Sequence, residues 1–207
     1  MRLRYIVVVV ILLLGSAACG RESTPAVWQA SFDDAEAWRL RSDAAAELEI
    51  REGRLHIQIL QPGQVAWALA ERTFADFDLQ VDATQLAGPA DNEYGVLVRM
   101  EGDTRFYAFS VSGDGYVRAS RYDDGRWEIL GSDWTAHAAV NQGAVTNTLA
   151  IEARGSQFAF SVNDEQVLQV EDGALASGEV GLYAGAFDEA GVHIAFDDLM
   201  VEGISQE

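Results

Sequence analysis

The chain has 207 residues, with 33 acidic side chains against 14 basic ones and a formal net charge of −19. Every lysine-or-arginine position is arginine, so a Schiff-base lysine mechanism is excluded. Nucleic acid and anionic lipid surfaces are poor partners for so acidic a chain, because phosphate binding needs clustered positive charge.

In chain order, the first element is an export signal. Arg2 and Arg4 precede an unbroken apolar run, Ile6 to Leu14, and then Gly15, Ser16, Ala17, Ala18 and Cys19. This pattern reads as a signal peptide over residues 1–18. The run is shorter than the roughly 20 apolar residues a spanning helix needs. Removing it takes away two of the 14 basic residues and leaves 12 against 33 acids, a net charge of −21.

Ala17, Ala18 and Cys19 resemble the processing site of bacterial lipoproteins; Ser16 stands where that family usually has Leu, so ordinary cleavage near Ala18 stays open. The resemblance implies lipidation at Cys19, with residues 19–25 as a short tether and a protein exported and anchored to the bacterial envelope. Cys19 is the only cysteine, so no intrachain disulfide forms. Each buried acyl CH₂ contributes about 0.8 kcal/mol, so the membrane is a partner through the lipid alone.

Residues 26–204 read as one domain, followed by a tail at 205–207. "RLHIQIL" alternates Leu55, Ile57 and Ile59 with His56 and Gln58, and "DFDLQVDAT" alternates Phe77, Leu79, Val81 and Ala83 with Asp76, Asp78, Gln80 and Asp82. "NEYGVLVRM" puts Tyr94, Val96, Val98 and Met100 on one face and Glu93, Gly95, Leu97 and Arg99 on the other. "RFYAFSVS", "YVRASRY", "NTLAIEA" and "QFAFSVN" repeat the period of two, which is that of strands. Turn signals separate them at Glu52-Gly53, Gly113-Asp114-Gly115, Asp123-Asp124-Gly125, Asn163-Asp164 and Asp172-Gly173. Single helical turns are expected at Asp33–Trp38 and Thr135–Val140. In the final "VHIAFDDLMV" the apolar phase slips at Asp197-Asp198, the mark of a β-bulge. Many short strands and no long amphipathic helix predict an antiparallel sandwich.

Five segments, "DNEYGVLVR", "RFYAFSVSGDGYVRASRYDDGRW", "NTLAIEARGSQFAFSVND", "GEVGLYAG" and "IAFDDLMV", follow in an order similar to the concanavalin A-like lectin/glucanase superfamily. The nearest branch is its laminin-G-like and 3-keto-disaccharide hydrolase-type domains, over about Val27 to Gly203. The resemblance implies an all-β fold, a jelly-roll sandwich of two curved antiparallel sheets, often with a concave face turned to carbohydrate.

Three chemistries then compete. Sugars are bound by aromatic faces and forked donors. Arg99, Tyr116, Arg118 and Tyr122 are expected on the non-core face, with Trp127 past the next turn and Trp67 in "VAWAL". The bland alternative is that tyrosine and arginine merely coat an exposed sheet. A glycosidase of the laminarinase type would carry Glu-x-Asp-x-Glu, which is absent; Asp78 to Asp82 has the spacing with the wrong residues. Those aspartates are about 13–14 Å apart along a strand, too far for the paired carboxylates of glycoside hydrolysis. Glu93, or Asp82, would have to move the proton in an enzyme of the 3-keto-disaccharide type.

Related jelly rolls often hold calcium between the first and last strands. The matching positions here are Asp33, Asp34, Asp197 and Asp198, against the alternative that these charges guard a sheet edge. His56, His137 and His193 lack zinc spacing. His137 lies in the long loop "DWTAHAAVNQG", where Trp134 and Asn141 stand ready to rim a groove unless the loop is simply packed. The expectation is an envelope lipoprotein whose domain binds carbohydrate or another cell-surface ligand without catalysis. Glycoside cleavage and pure protein interaction are the alternatives.

Overall fold

The computed structural model describes residues 26–30 and 32–204. The signal peptide, Cys19, the tether and the tail at 205–207 lie outside the described residues.

In chain order the strands are β1 (Ala26–Ala30), β2 (Trp38–Arg39), β3 (Ala46–Arg51), β4 (Arg54–Ile59), β5 (Val65–Phe74), β6 (Asp76–Ala87), β7 (Asn92–Glu101) and β8 (Arg105–Val111). They continue as β9 (Tyr116–Asp123), β10 (Arg126–Ile129), β11 (Thr135–Ala136), β12 (Asn147–Arg154), β13 (Gln157–Val162), β14 (Glu165–Glu171), β15 (Gly178–Ala186) and β16 (His193–Ile204). The first sheet runs β14-β13-β12-β6-β16-β4-β3, with β1 also on β16; the second runs β10-β9-β8-β7-β15-β5-β2, with β11 also on β9. Every pair is antiparallel. The architecture is a jelly-roll sandwich.

The period of two builds the core. Phe77, Leu79, Val81 and Ala83 of β6 and Phe158, Phe160 and Val162 of β13 face Tyr107, Phe109 and Val111 of β8 and Val96 and Val98 of β7 across the sandwich. Each such side chain fully buried contributes about 1.5–3 kcal/mol. Outside, the first sheet is polar, as the alternation of β6 requires. The second sheet is different. Leu69, Leu97, Met100, Phe106, Ala108 and Tyr183 form another buried apolar cluster on its outer face, so β7 is buried on both faces from Asn92 to Met100.

The hairpin signals act as their chemistry requires. Glu52 and Gly53 (φ 52° and 72°) turn β3 into β4, and Asn163 and Asp164 (φ 51° and 66°) turn β13 into β14. Asp34 caps a single 3₁₀ turn at Ala35–Ala37, within the expected helical stretch, by accepting the Glu36 N–H at 3.0 Å. The turn expected at Thr135–Val140 is corrected. Thr135 and Ala136 pair with Val117 and Tyr116 as a strand, because β9 offers them a free edge there, and only His137 to Val140 closes tightly. The bulge in the last strand is present: register shifts between Asp197 and Met200, and Asp198 has φ 49°.

A second bulge overturns the expectation for Arg99. The register of β7 against β8 slips between Val98 and Glu101, and Arg99 has φ 51°. The slip swaps the phases of neighbours: Met100 moves to the outer cluster, and Arg99, 1% exposed, turns inward. Its guanidinium donates to the carbonyls of Ala75, Gly155 and Leu175 at 2.7–3.1 Å, meets Asp76 Oδ1 at 3.3 Å and lies over the Phe158 ring. Arg99 ties three chain segments together and lies off the outer face of its sheet.

Candidate functional site

The outer face of the second sheet is built row by row from cross-strand partners. Trp67 lies across from Tyr183, Tyr183 from Gly95, Gly95 from Ser110, and Ser110 from Arg118. Two rows further along, past Ala108 and Ser120, Phe106 lies across from Tyr122 and Tyr122 from Trp127. In the opposite direction Gly185 lies across from Glu93. Directly opposed side chains sit about 4.5–5.5 Å apart at Cβ, so the rows bring together residues far apart in the chain.

These rows enclose a cleft of about 210 Å³ whose wall includes Trp67, Glu93, Phe106, Tyr122, Trp127 and Tyr183. Its aromatic side is continuous. Phe106 is 5.2 Å from Tyr122 and 5.7 Å from Trp127, Tyr122 is 4.9 Å from Trp127, and Trp67 is 6.2 Å from Phe106, all between ring centroids. Trp127 keeps 52% of its surface in solvent although it packs against two rings, so its face is open to a partner.

The polar side is a buried relay. Arg118 Nη2 donates to Glu93 Oε2 at 3.0 Å, Glu93 is also hydrogen-bonded to Tyr183, and the Tyr183 hydroxyl meets Ser110 Oγ. The guanidinium of Arg118 lies 4.3 Å from the Trp134 ring centroid and 3.7 Å from Asp133 Oδ1. Burial pushes the Glu93 carboxyl above its ordinary range, against the opposing pull of Arg118 and Tyr183. Burial, and then the neighbouring Glu93 charge, raise the Tyr183 phenol well above its ordinary value. Arg118 Nε and Ser120 Oγ have no hydrogen-bond partner among the described residues.

Of the residues expected to bind ligand, Trp67, Glu93, Tyr122 and Trp127 meet in one cleft and Arg118 borders it through Glu93. Tyr116 lies on the same strand face, in a neighbouring cavity. Arg99 is the exception already described. Trp134 of the long loop reaches the site, whereas the loop beyond it is exposed for most of its length and is tied down by hydrogen bonds: Asn141 N–H donates to Asn147 Oδ1 and Asn163 donates to the Ala139 carbonyl.

Phe106, Ser110 and Tyr183 were not singled out from the sequence. Their signals were present. "RFYAF" is apolar in both phases, as a strand buried on two sides must be, and Tyr183 alternates with Gly181 and Gly185 on an otherwise apolar strand.

The alternative proton carrier, Asp82, is elsewhere. It points from the outer face of the first sheet and accepts the Thr148 hydroxyl at 2.6 Å. Asp78, four residues earlier on the same strand, accepts from Arg154 Nη2 through both carboxylate oxygens, at 2.7 and 2.8 Å.

Strands β1 and β16 do pair, which brings residues 33–34 and 197–198 to one end of that pair. There Asp34 is the 3₁₀ cap, and Asp197 meets Arg54 at 3.3 Å and accepts the Asp198 N–H. Among the described residues no three His, Cys, Asp or Glu side chains come together to hold a metal ion.

His56 and His193, distant in sequence, meet on the same outer face with Nδ1 and Nε2 3.1 Å apart. Burial lowers both imidazoles below their ordinary value, and for each the nearby Arg51 adds to the effect.

Comparison with known proteins places this geometry. Residues 27–202 match the family model of the 3-keto-alpha-glucoside-1,2-lyase-like domain. No curated protein matches the sequence. Among solved structures, the carbohydrate-binding module CBM66 from Bacillus subtilis superposes with a TM-score of 0.66 at 16% identity, covering 81% of this chain and 96% of that one. A protein of unknown function with a galectin-like fold, also from Bacillus subtilis, gives 0.64 at 10% identity over 90% and 99%. A β-1,3-1,4-glucanase (lichenase) from a mouse hindgut metagenome gives 0.61 at 14% identity over 86% and 98%. At these identities the likeness is one of fold.

Proposed function

We propose, because the chain belongs to the 3-keto-alpha-glucoside-1,2-lyase-like domain family, that the outer face of its second sheet binds carbohydrate. The observation that carries this reading is the juxtaposition of Trp67, Phe106, Tyr122 and Trp127 with the Arg118–Glu93 pair in one cleft. Aromatic faces take the C–H faces of a sugar ring, and a fork donor next to a carboxylate takes its hydroxyls. The similar fold of a carbohydrate-binding module supports it. The test is tryptophan fluorescence titrated with a panel of neutral oligosaccharides. Saturable quenching is expected, with affinity about tenfold weaker in Trp127→Ala, a loss in the range of one exposed aromatic contact. No response across the panel would reject sugar binding and leave a protein-interaction module.

A second reading rests on the raised, hydrogen-bonded Glu93. Cleavage by 1,2-elimination, the reaction the family description names, needs a base for the C2 proton beside a C3 ketone; the C1–O bond then breaks and the leaving oxygen takes a proton. In this reading Glu93 takes that proton, and what supports it is the raised carboxyl hydrogen-bonded to Tyr183. Incubation with a 3-keto disaccharide tests it. Sugar release abolished in Glu93→Gln supports an enzyme, and no release by the parent protein supports a binder.

Anchoring through Cys19 belongs to the same proposal and rests on the Arg2-to-Cys19 pattern. Release of Cys19→Ser from the membrane fraction would support it, and unchanged fractionation would not.

A further inference from the structure

Beyond Glu93 the same face continues into a second cavity of about 160 Å³, walled by Tyr116, Trp134, Phe187, Asp91 and Asp114 with Ser112 beneath. Tyr116 is two residues from Arg118 on β9, Asp91 two from Glu93 next to β7, and Phe187 two from Gly185 past the end of β15. Alternate positions share a face, so this cavity and the cleft flank the Arg118–Glu93 pair.

Its chemistry differs from that of the cleft. Trp134 meets Phe187 edge-on at 6.2 Å and 80°. The Trp134 ring already holds one cation, the Arg118 guanidinium, 4.3 Å from its centroid. Asp114 accepts the Ser112 hydroxyl. Among the described residues neither Asp91 nor Asp114 has a cationic partner. Three aromatic rings and two uncompensated carboxylates in so small a space suit one kind of group. A ring face attracts a positive charge through its quadrupole, and the carboxylates supply the opposite charge. Asp91 is exposed and Asp114 half-buried, so both stay charged at the rim and attract a cation, an attraction a neutral or anionic occupant does not gain. The walls lack the ligand set for a metal ion.

We propose that this cavity takes a protonated amine, and that the amine is carried by the bound glycan: an amino sugar with a free amino group, seated beside the neutral sugar of the cleft. The inference rests on the carbohydrate reading for its carrier, and on the cavity alone for the charge.

The experiment is calorimetric titration of the protein with a glucosamine disaccharide and with its N-acetylated counterpart, in low salt at about pH 6, with choline as a free organic cation. The free-amine sugar is expected to bind about tenfold more tightly than the acetylated one, the scale of a partly desolvated cation–aromatic contact. The preference should vanish in Asp91→Asn/Asp114→Asn and persist in Glu47→Gln/Glu152→Gln, which removes the same charge from the other sheet. Equal affinities for the two sugars, or a preference that survives Asp91→Asn/Asp114→Asn, would overturn the amine site. Choline binding as tightly as the amino sugar would overturn the glycan as carrier. The Trp127→Ala protein separates the two proposals. An amine preference with no loss on that substitution sinks the cleft reading and keeps the cavity, and sugar binding that needs Trp127 but ignores the amine does the reverse.

Discussion

The side chain of Glu93 lies over the bare backbone of Gly185, its cross-strand neighbour: a Cβ added there would stand 2.8 Å from Glu93 Cγ and 3.1 Å from Oε1. The missing side chain at 185 is what lets the carboxylate lie flat and reach Arg118. Gly185→Ala should therefore push Glu93 off Arg118 while leaving the sandwich core intact. The expected cost is about 1–3 kcal/mol of stability and about a tenfold loss of glycan affinity. Urea midpoints and fluorescence titration on the same variant measure both. An affinity equal to the parent's would show that the Glu93 position is unimportant.

Glu93 also leaves a mark on the pH dependence of stability. Its folded value is raised above 4.5 by burial, so the folded state binds this proton more tightly than the unfolded chain. Such a group favours folding most below the ordinary value, and that contribution is lost as pH rises through the raised one. Glu93→Gln has no proton to lose. Relative to the parent, its stability should therefore improve as pH rises from the ordinary value of 4.5 through the raised one, and stay level above it. Parallel profiles for the two proteins would contradict the burial argument.

The histidine pair has the opposite sign. The folded values of His56 and His193 lie below 6.5, chiefly through burial, with Arg51 adding for both and Arg54 for His56 while Glu49 opposes. Their contribution is present above 6.5 and is lost as pH falls through the lowered values. The double variant His56→Gln/His193→Gln should flatten the acid limb of the thermal midpoint below about pH 6.5 and leave the neutral region little changed. An acid limb identical to the parent's would rule the pair out as its source.

Arg99 separates structure from binding. Arg99→Met removes the donors to the carbonyls of Ala75, Gly155 and Leu175. Ala75 and Gly155 are exposed and Leu175 is buried, so the main cost is the Leu175 carbonyl left without a donor, about 1–3 kcal/mol, and a loss in that range is expected in urea unfolding. Any folded fraction should bind glycan as the parent does, since the side chain is 1% exposed and faces inward. A variant of normal stability with weakened binding would return Arg99 to the ligand face.

Side-chain alternation is a local property of an extended chain, so the sequence by itself determined the strands, the hairpin turns at Glu52-Gly53 and Asn163-Asp164, and the outer face shared by Tyr116, Arg118 and Tyr122, while the strand pairing brought Trp67 and Trp127 to it. It also marked the bulge at Asp197-Asp198, because a phase slip between apolar residues is visible in one strand. The slip at Arg99 was not visible, because Val98, Met100 and Leu97 are apolar in either phase and only the register against β8 and β15 shows which turns inward. The contacts that make a site, Glu93 with Arg118, Tyr183 with Ser110 and His56 with His193, join residues 25, 73 and 137 positions apart. Strand order and register decide such pairs, and those follow from how the two layers pack, which no short window of sequence contains.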